Sequence, residues 1–420
     1  MAYHNAENIV VKNAKNNYIS NIIKLLTLTS PNKVLPTTND FYDIEEKINN
    51  SKTEFTDNDD CSTVALSSNP SSFSSDVSAE EHFINNTYSF IPNKFIMQSV
   101  LGKGSFGTVI LAKYETKMYA VKKLPKYRIT RVDFEQIMLE KQILMQMDTP
   151  FALRLYGTCQ TNDELYFVTE ALEYGDLFRI IYDGERLTHE ECVFYGSCIL
   201  MGLDFMHNKN IVYRDLKPEN IMIDSNGYPK IIDFGLAKQL PYTKLLEDGT
   251  TRKHSKCYTL CGTPEYISPE IVTRKGYGTV VDIWAFGVLL YEMICRRTPF
   301  LEDEPEGDHM VKLLSNIVLC GKNGIIVSKK IDTMTDGTPN ARNIITQLLS
   351  GDEFKRLGPN NTPIKLLSHP YFLSASIDSV DLYNQTIVPP SIPARYIGRE
   401  IETLKDVDEY TGDQKIFKDF

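Results

Sequence analysis

The residues able to do chemistry fall in short runs, each set beside apolar, strand-like sequence. The first run is Leu101-Gly102-Lys103-Gly104-Ser105-Phe106-Gly107-Thr108-Val109. Glycines at this spacing let backbone amides approach phosphate oxygens closely. In a dinucleotide site such glycines open a helix, and an acidic residue follows about 20 positions on. Here they run into Thr108-Val109-Ile110-Leu111, which reads as strand, and are followed by Lys122, of the opposite sign. The pattern predicts a hairpin cap, which as it stands is either a phosphate cradle or an ordinary glycine turn. Lys122 ends the run Ala120-Val121-Lys122, and Glu140 on the next predicted helix is its candidate partner. Taken alone, a surface lysine and a solvated glutamate read equally well there.

The densest run is Tyr213-Arg214-Asp215-Leu216-Lys217-Pro218-Glu219-Asn220, with apolar Ile211-Val212 before it and Ile221-Met222-Ile223 after it. A solvated loop can have that composition. However, Asp233-Phe234-Gly235 follows apolar Ile231-Ile232, and then come Gly262-Thr263-Pro264-Glu265 and Ser268-Pro269-Glu270. In this order the runs resemble the protein-kinase signature, the set on which such motif reasoning is usually illustrated. The resemblance covers Phe95 to Phe372 and the tail, and is nearest to the AGC group, especially the cAMP- and cGMP-dependent kinases. Its marks are Tyr213 in place of His, the run Thr259-Leu260-Cys261-Gly262-Thr263-Pro264-Glu265-Tyr266, and the ending Phe417-Lys418-Asp419-Phe420. Glu170-Ala171-Leu172 and Lys275-Gly276-Tyr277-Gly278 look more like the cGMP-dependent branch, and the final Phe-x-x-Phe more like the cAMP-dependent one. The two branches are not separated by these residues.

The resemblance implies a serine/threonine kinase that uses ATP and Mg²⁺. Phosphoryl transfer is a matter of positioning and charge stabilisation. By resemblance, Asp215 accepts the substrate hydroxyl proton and Lys217 neutralises charge on the moving phosphoryl. Asn220 and Asp233 offer hard oxygen ligands to Mg²⁺. Lys122 holds phosphate and is fixed by Glu140, under the glycine run Leu101 to Val109. Val109, Ala120 and Met222 sandwich adenine, with Thr169 just before a hinge whose Glu170 and Leu172 backbone bonds its edge. Leu144, Leu155, Tyr213 and Phe234 form an apolar spine. Thr259 takes the activating phosphate, pairing with Arg214 and Lys238, while Gln136 stands where relatives supply a His. Asp176, Glu219, Glu265 and Glu292 bind arginine upstream of the acceptor, and Leu260, Pro264 and Ile267 form an apolar socket after it. Phe417 and Phe420 dock on the small lobe beside the helix of Glu140. Two departures stand out: a long polar stretch at Leu240–Lys256, and Val407-Asp408-Glu409-Tyr410 where relatives begin an acidic motif with Phe.

These groups need a scaffold. Short β-branched strands are expected over Phe95–Leu101, Thr108–Lys113, Met118–Lys123, Leu153–Cys159 and Leu165–Thr169, with a helix over Val132–Met147. After Gly175 the sequence turns helical, with Glu190–His207 and an all-round apolar Val280–Ile294. Strands followed by helices mean an α+β fold rather than alternating units. By resemblance it is the bilobal protein-kinase fold, with a small β-rich N-lobe, a larger helical C-lobe and an AGC-type C-terminal tail. Residues 1–88 are Asn/Ser-rich, with a near-continuous serine tract at Ser67–Ser78, and are expected to be disordered. The kinase domain is expected at 95–372 and the tail at 373–420 as an extended segment.

The 420 residues are 42% hydrophobic, enough for a sizeable core, and the net charge of −10 makes the chain a poor candidate for general nucleic-acid binding and suits basic partners. The 8 cysteines show neither CxxC pairs nor zinc spacing and read as free thiols of a reducing compartment. No apolar run spans a bilayer, no signal peptide is visible, and a cytoplasmic location is expected. The expected partners are basic protein substrates, with room for a separate regulatory subunit docking at Tyr258 and Lys275, and for an upstream activating kinase. The competing function is a pseudokinase-like scaffold, against which stand the retained Lys122, Asp215 and Asp233.

Overall fold

Alternating apolar residues in the first third of the ordered sequence can be buried only by pairing strands, and the structure pairs them. The computed structural model describes residues 90–104, 107–241, 256–301, 308–327, 331, 340–356, 362–395, 399–400 and 408–420. The N-terminal extension 1–88, Ser105, Phe106, Val407 and most of the Leu240–Lys256 stretch lie outside them. The first lobe is an antiparallel sheet of β1 (Ile96–Lys103), β2 (Thr108–Tyr114), β3 (Lys117–Pro125), β4 (Leu155–Gln160) and β5 (Glu164–Glu170), in the order β1-β2-β3-β5-β4. Helix α1 (Arg131–Leu144) connects β3 to β4. It begins at a capping box in which Thr130 Oγ1 accepts from Asp133 N and Asp133 Oδ2 accepts from Thr130 N. One face of the sheet is sealed by Phe90, Phe95, Tyr119 and Tyr166.

The second lobe contains α2 (Leu177–Asp183), α3 (His189–Asn208), the short ribbons β6 (Ile211–Val212), β7 (Ile221–Ile223), β8 (Pro229–Ile231) and β9 (Lys238–Gln239), then α4 (Pro269–Val272), α5 (Val280–Cys295), α6 (His309–Asn323) and α7 (Asn340–Leu348). Helix α5 is apolar on every side because it lies within the lobe: Ile283, Trp284, Phe286, Val288, Leu289 and Leu290 are all buried. Trp284 stacks on Phe300. Arg356 lies over its ring and forms a two-pronged, buried ion pair with Glu270 at 2.7 and 3.0 Å. This pair ties α4 to the end of the lobe, and it explains why Ser268-Pro269-Glu270 must close its motif with a carboxylate.

Helix α8 (Pro370–Leu373) ends the second lobe. The tail after it includes α9 (Ser379–Tyr383), a two-residue strand β10 (Arg399–Glu400) that pairs antiparallel with β1, and a 3₁₀ turn at Gln414–Phe417. Along the second lobe Tyr228 donates to Ile387 O, and Gly227 (φ +89°) has its missing Cβ position filled by Pro389 and Ile392. Arg395 then pairs with Glu173 beside the hinge. At its far end, Phe417 is buried against Phe134 of α1 (5.1 Å between rings) and Phe420 against Phe167 of β5 (5.3 Å). Lys126 is fully enclosed and donates to Gln160 Oε1, Thr161 O and Gln414 Oε1, with Phe417 under its ammonium. Tyr410 packs on Phe417 and its amide donates to Asp163, so its ring belongs to this pocket.

Two buried phenylalanines contribute about 3–6 kcal/mol gross. Ordering the tail offsets much of this at about 1–2 kcal/mol per residue. Replacing both Phe417 and Phe420 by Ala is therefore expected to lower turnover at saturating ATP roughly tenfold, about 1.4 kcal/mol of barrier. The melting temperature should move by only a few degrees. Wild-type turnover in the double variant would show that tail docking does not bear on activity.

Candidate active site

The glycine run caps a hairpin, as the strand after it requires. Gly102 pairs with Val109 and Lys103 with Thr108, and Gly104 N donates to Gly107 O at 2.8 Å to close the turn. Gly107 is obligatory: a Cβ there would lie 1.9 Å from Lys123 O on β3. The same register puts Val109 opposite Lys122, and Leu111 opposite Ala120. Leu101, Gly102, Lys103 and Gly104 thus lie on or beside β1, and Thr108 and Val109 on β2, next to Ala120 and Lys122 of β3.

Lys122 Nζ lies 2.7 Å from Glu140 Oε1 on α1. Burial works against the ammonium, but Glu140 and Asp233 together outweigh it and hold its pKa above that of an ordinary lysine. The electrostatic reach of Asp233 brings it into the same cleft. Helix α1 is also tied to this segment directly, since Gln136 Nε2 donates to Gly235 O at 2.6 Å. Gln136 is thereby turned to the backbone after Asp233. Thr169 is buried and donates to Ala120 O across the strand pair. Glu170 accepts from Arg154 N and from Lys230, Leu172 is buried, and Met222 bridges to Asp176.

Asp215 sits in a dense network. Its Oδ1 accepts from Thr263 Oγ1 (2.8 Å) and Thr263 N (3.2 Å), and its Oδ2 accepts from Asn220 Nδ2 (2.8 Å), with Lys217 Nζ at 3.4 Å. Lys217 also donates to Thr263 Oγ1 at 3.0 Å. Desolvation raises the Asp215 pKa against the opposing pull of Lys217 and Thr263. A carboxylate so placed is a stronger proton acceptor than an ordinary one. The loop itself is held from beneath: Asp282 at the start of α5 accepts from Tyr213 N (3.0 Å) and Arg214 N (2.8 Å), and lies 2.8 Å from His207 Nε2. Tyr213 donates to Ile232 O and its ring meets Phe234 edge-on at 5.6 Å. Of the four apolar spine residues, these two are in ring contact, and Leu144 is buried in α1.

Asn220 turns its Nδ2 to Asp215 O and Oδ2, both at 2.8 Å, so its amide oxygen faces the other way. Asp233 is exposed to the cleft at φ +56°, with one oxygen accepting from Gly235 N. One amide oxygen and one carboxylate are too few for a protein-only cage. They fit Mg²⁺, which keeps waters and phosphate oxygens in its shell. Such an ion would neutralise charge between the phosphates.

Thr259 is exposed, and its carbonyl accepts from Tyr277 OH at 2.7 Å. Arg214 (φ +71°) donates to Leu236 O and Tyr277 OH, and Lys238 lies close enough to Cys257 to act on it electrostatically. The four acids predicted for substrate do not form one equivalent set. Asp176 caps α2 by accepting from Arg179 N, and Glu265 accepts from Thr298. Glu219 is exposed, and Glu292 is buried with its oxygens bonded by Tyr182 and Tyr266. Sequence reasoning missed Asp282 and Tyr182, and it named Thr263 and Tyr266 only inside motif runs, without a role. Asp282 left one signal, a lone acid in an apolar helix start.

A family model described as the protein kinase domain matches residues 95–372. A protein named cAMP-dependent protein kinase catalytic subunit from Arthrobotrys oligospora is 36% identical over 303 residues, 71% of this chain and 53% of its own length. The RAC serine/threonine-protein kinase of Drosophila melanogaster is 36% identical over 76% of this chain and 48% of its own length. The serine/threonine-protein kinase Sgk1 of Xenopus tropicalis is 35% identical over 72% of this chain and 67% of its own length. The chain thus spans about half the length of the first two of these relatives.

Removing the negative charge under the loop tests the network. In Asp282→Asn the amide donor cannot accept from a backbone N–H, leaving a buried group unpaired at about 1–3 kcal/mol. We expect turnover to fall at least tenfold and the melting temperature by several degrees. Unchanged turnover with a lowered melting temperature would mean that Asp282 supports the fold and not the loop.

Proposed function

The chain belongs to the protein kinase family, and on that premise we propose that it moves the γ-phosphoryl of ATP onto serine or threonine hydroxyls of basic proteins. The observation that most supports activity over a scaffold role is the closed Lys122–Glu140 pair in the same cleft as Asp215 and Asp233. Asp215 takes the proton of the attacking hydroxyl and aims its oxygen, and its raised basicity suits the task. Lys217, shared between Asp215 and Thr263, offsets charge on the transferred group. Lys122 and the amides of the glycine hairpin hold the phosphates, and Ala120, Val109 and Met222 enclose the base.

The coarse reading, an AGC-type kinase, fits all three relatives above. The finer reading is cyclic-nucleotide-linked signalling under a separate regulatory subunit. Kinases named RAC and Sgk1 stand within one per cent identity of the one named cAMP-dependent, so identity does not favour that branch. Its support is Tyr213, the run from Thr259 to Tyr266, and Tyr258, which is 65% exposed and lies against Gly276. Phosphorylation of Thr259, by this kinase or an upstream one, would add charge beside Arg214 and Lys238. No helix among the described residues is long and apolar enough to cross a membrane, and a cytoplasmic location is part of the proposal.

Two measurements test this reading. Asp233→Ala removes a candidate metal ligand, so phosphate transfer from Mg-ATP should be lost while the melting profile stays close to wild type. Retention of more than a few per cent of turnover would overturn the assignment. On an arrayed peptide library, sequences of the form Arg-Arg-x-Ser/Thr-apolar should be preferred. Equal use of acidic and proline-directed peptides would overturn the substrate class.

A further inference from the structure

A ring of contacts runs around the cleft, and one of its links is an uncharged amide. Lys122 Nζ lies 2.7 Å from Glu140 on α1. One helical turn before Glu140, Gln136 Nε2 donates to Gly235 O at 2.6 Å. The N–H of the same glycine donates to Asp233 Oδ1 at 3.1 Å. Asp233 in turn acts on Lys122 across the cleft, which closes the ring. Gly235 thus ties the helix to the candidate metal ligand with its two backbone polar groups. A second amide repeats the tie: Gln146, just past the end of α1, donates to Gln239 Oε1 on β9 at 3.2 Å. The segment after Asp233 is also pinned from the second lobe. Leu236 O accepts from Arg214 Nε at 2.6 Å, and β9 pairs with β6. Further on, Cys257 and Tyr277 exchange two backbone bonds at 2.8 and 2.9 Å, and Tyr277 OH donates to Thr259 O at 2.7 Å. None of these bonds uses the Thr259 hydroxyl.

We propose that Gln136 is a positioning residue for phosphoryl transfer: through Gly235 it sets Asp233 and the Lys122–Glu140 pair together, and so gives the cleft its working geometry before Thr259 carries a phosphate. This rests on the reading of Lys122 and Asp233 as the phosphate and metal groups. A phosphate orders a segment by pairing with cations. The cations assigned to meet one on Thr259, Arg214 and Lys238, both belong to the second lobe. The ties that reach the segment from α1 and the turn after it are glutamine amides, which have no charge to offer a phosphate. A phosphate on Thr259 therefore adds to the second-lobe contacts and leaves the position of α1 as it was. Tilting α1 away from the second lobe breaks the Gln136 bond, draws Glu140 from Lys122 and releases the peptide that fixes Asp233 Oδ1. Gln136 is exposed, so its removal costs one hydrogen bond and no core packing.

The test uses the full chain after phosphatase treatment, with phosphate on Thr259 read by mass spectrometry before and after each assay. Turnover is measured on a basic peptide with ATP, varying Mg²⁺ and peptide separately. Without phosphate on Thr259, the wild type should keep at least about a third of the rate it reaches with it, since the cleft is already set. Gln136→Ala and Gln136→Glu both remove the donor to Gly235 O. Each should lower kcat about fivefold, the loss of one ordinary hydrogen bond. Each should also raise the Mg²⁺ concentration at half-maximal rate several-fold, because Asp233 is less well fixed. The KM for peptide and the melting temperature should stay at wild-type values, a split that a merely structural role would not produce. A wild type that is silent until Thr259 is phosphorylated would overturn the proposal. So would wild-type kcat and Mg²⁺ dependence in Gln136→Ala, or an effect confined to its melting temperature. No transfer by the wild type in either state, or full transfer by Asp233→Ala, would instead remove the reading of the cleft on which the proposal rests.

Discussion

A single carboxylate with 1% exposure carries the loop on which the chemistry depends. Asp282 receives two successive backbone amides, Tyr213 N and Arg214 N, and the ring nitrogen of His207. An isolated buried carboxylate is costly, but three polar partners replace its water. The same bonds hold Arg214 at φ +71°, a left-handed conformation that costs a non-glycine residue about 1–2 kcal/mol. The turn at Arg214 sends its guanidinium toward Leu236 O and Tyr277, and lets the next residue, Asp215, face Thr263 and Asn220. The position of the candidate base is therefore fixed from below by α5, not by the loop's own sequence.

The upper lobe is positioned by a different kind of chain, largely apolar and aromatic. Phe420 packs on Phe167, whose ring lies 5.7 Å under Lys122 Nζ, and Lys122 is paired with Glu140 on α1. Phe417 meets the same helix at Phe134, and one turn before Glu140, Gln136 reaches Gly235 O. Helix α1 is thus held at the tail, at β3 and at the segment carrying Asp233. Each contact is modest by itself. Together they over-determine one helix, which is what keeps Lys122 and Asp233 within electrostatic reach of each other.

The readable part of this arrangement was local. Strands β1 to β5, α3 and α5 fall within about two residues of the expected spans, and α1 ends three residues early, at Leu144, because period and turn residues carry that information. The glycine run, the Asp215 loop and Asp233-Phe234-Gly235 announce themselves because their chemistry is packed into a few neighbours. What sequence reasoning could not supply are the partners from far along the chain. Asp282 is 69 residues from Tyr213, and Glu292 is 110 from Tyr182. A tyrosine on an amphipathic helix looks like core in either case, and only packing shows that its hydroxyl ends on a carboxylate. The short helix α9 left no periodic signal: it forms before the proline run, where Asp378 caps Val380 and Asp381.

The acids of the site show how recognition and folding share the same atoms. Asp176 caps α2, Glu265 is held by Thr298, Glu270 is locked to Arg356, and Glu292 joins α2 to the segment before α4 through two tyrosines. Only Glu270 is neutralised by a buried arginine, and it lies outside the candidate substrate set. Glu265 and Glu292 receive neutral donors, while Asp176 has the partly exposed Arg179 at 3.9 Å besides its backbone donor. Neutral donors fix an acid's geometry without cancelling its charge, so the negative field stays available to an incoming cation, whereas an internal arginine would fill the place of the substrate's own. Glu270 is thus set apart from Glu265 and Glu292 by the charge of the partner each is given.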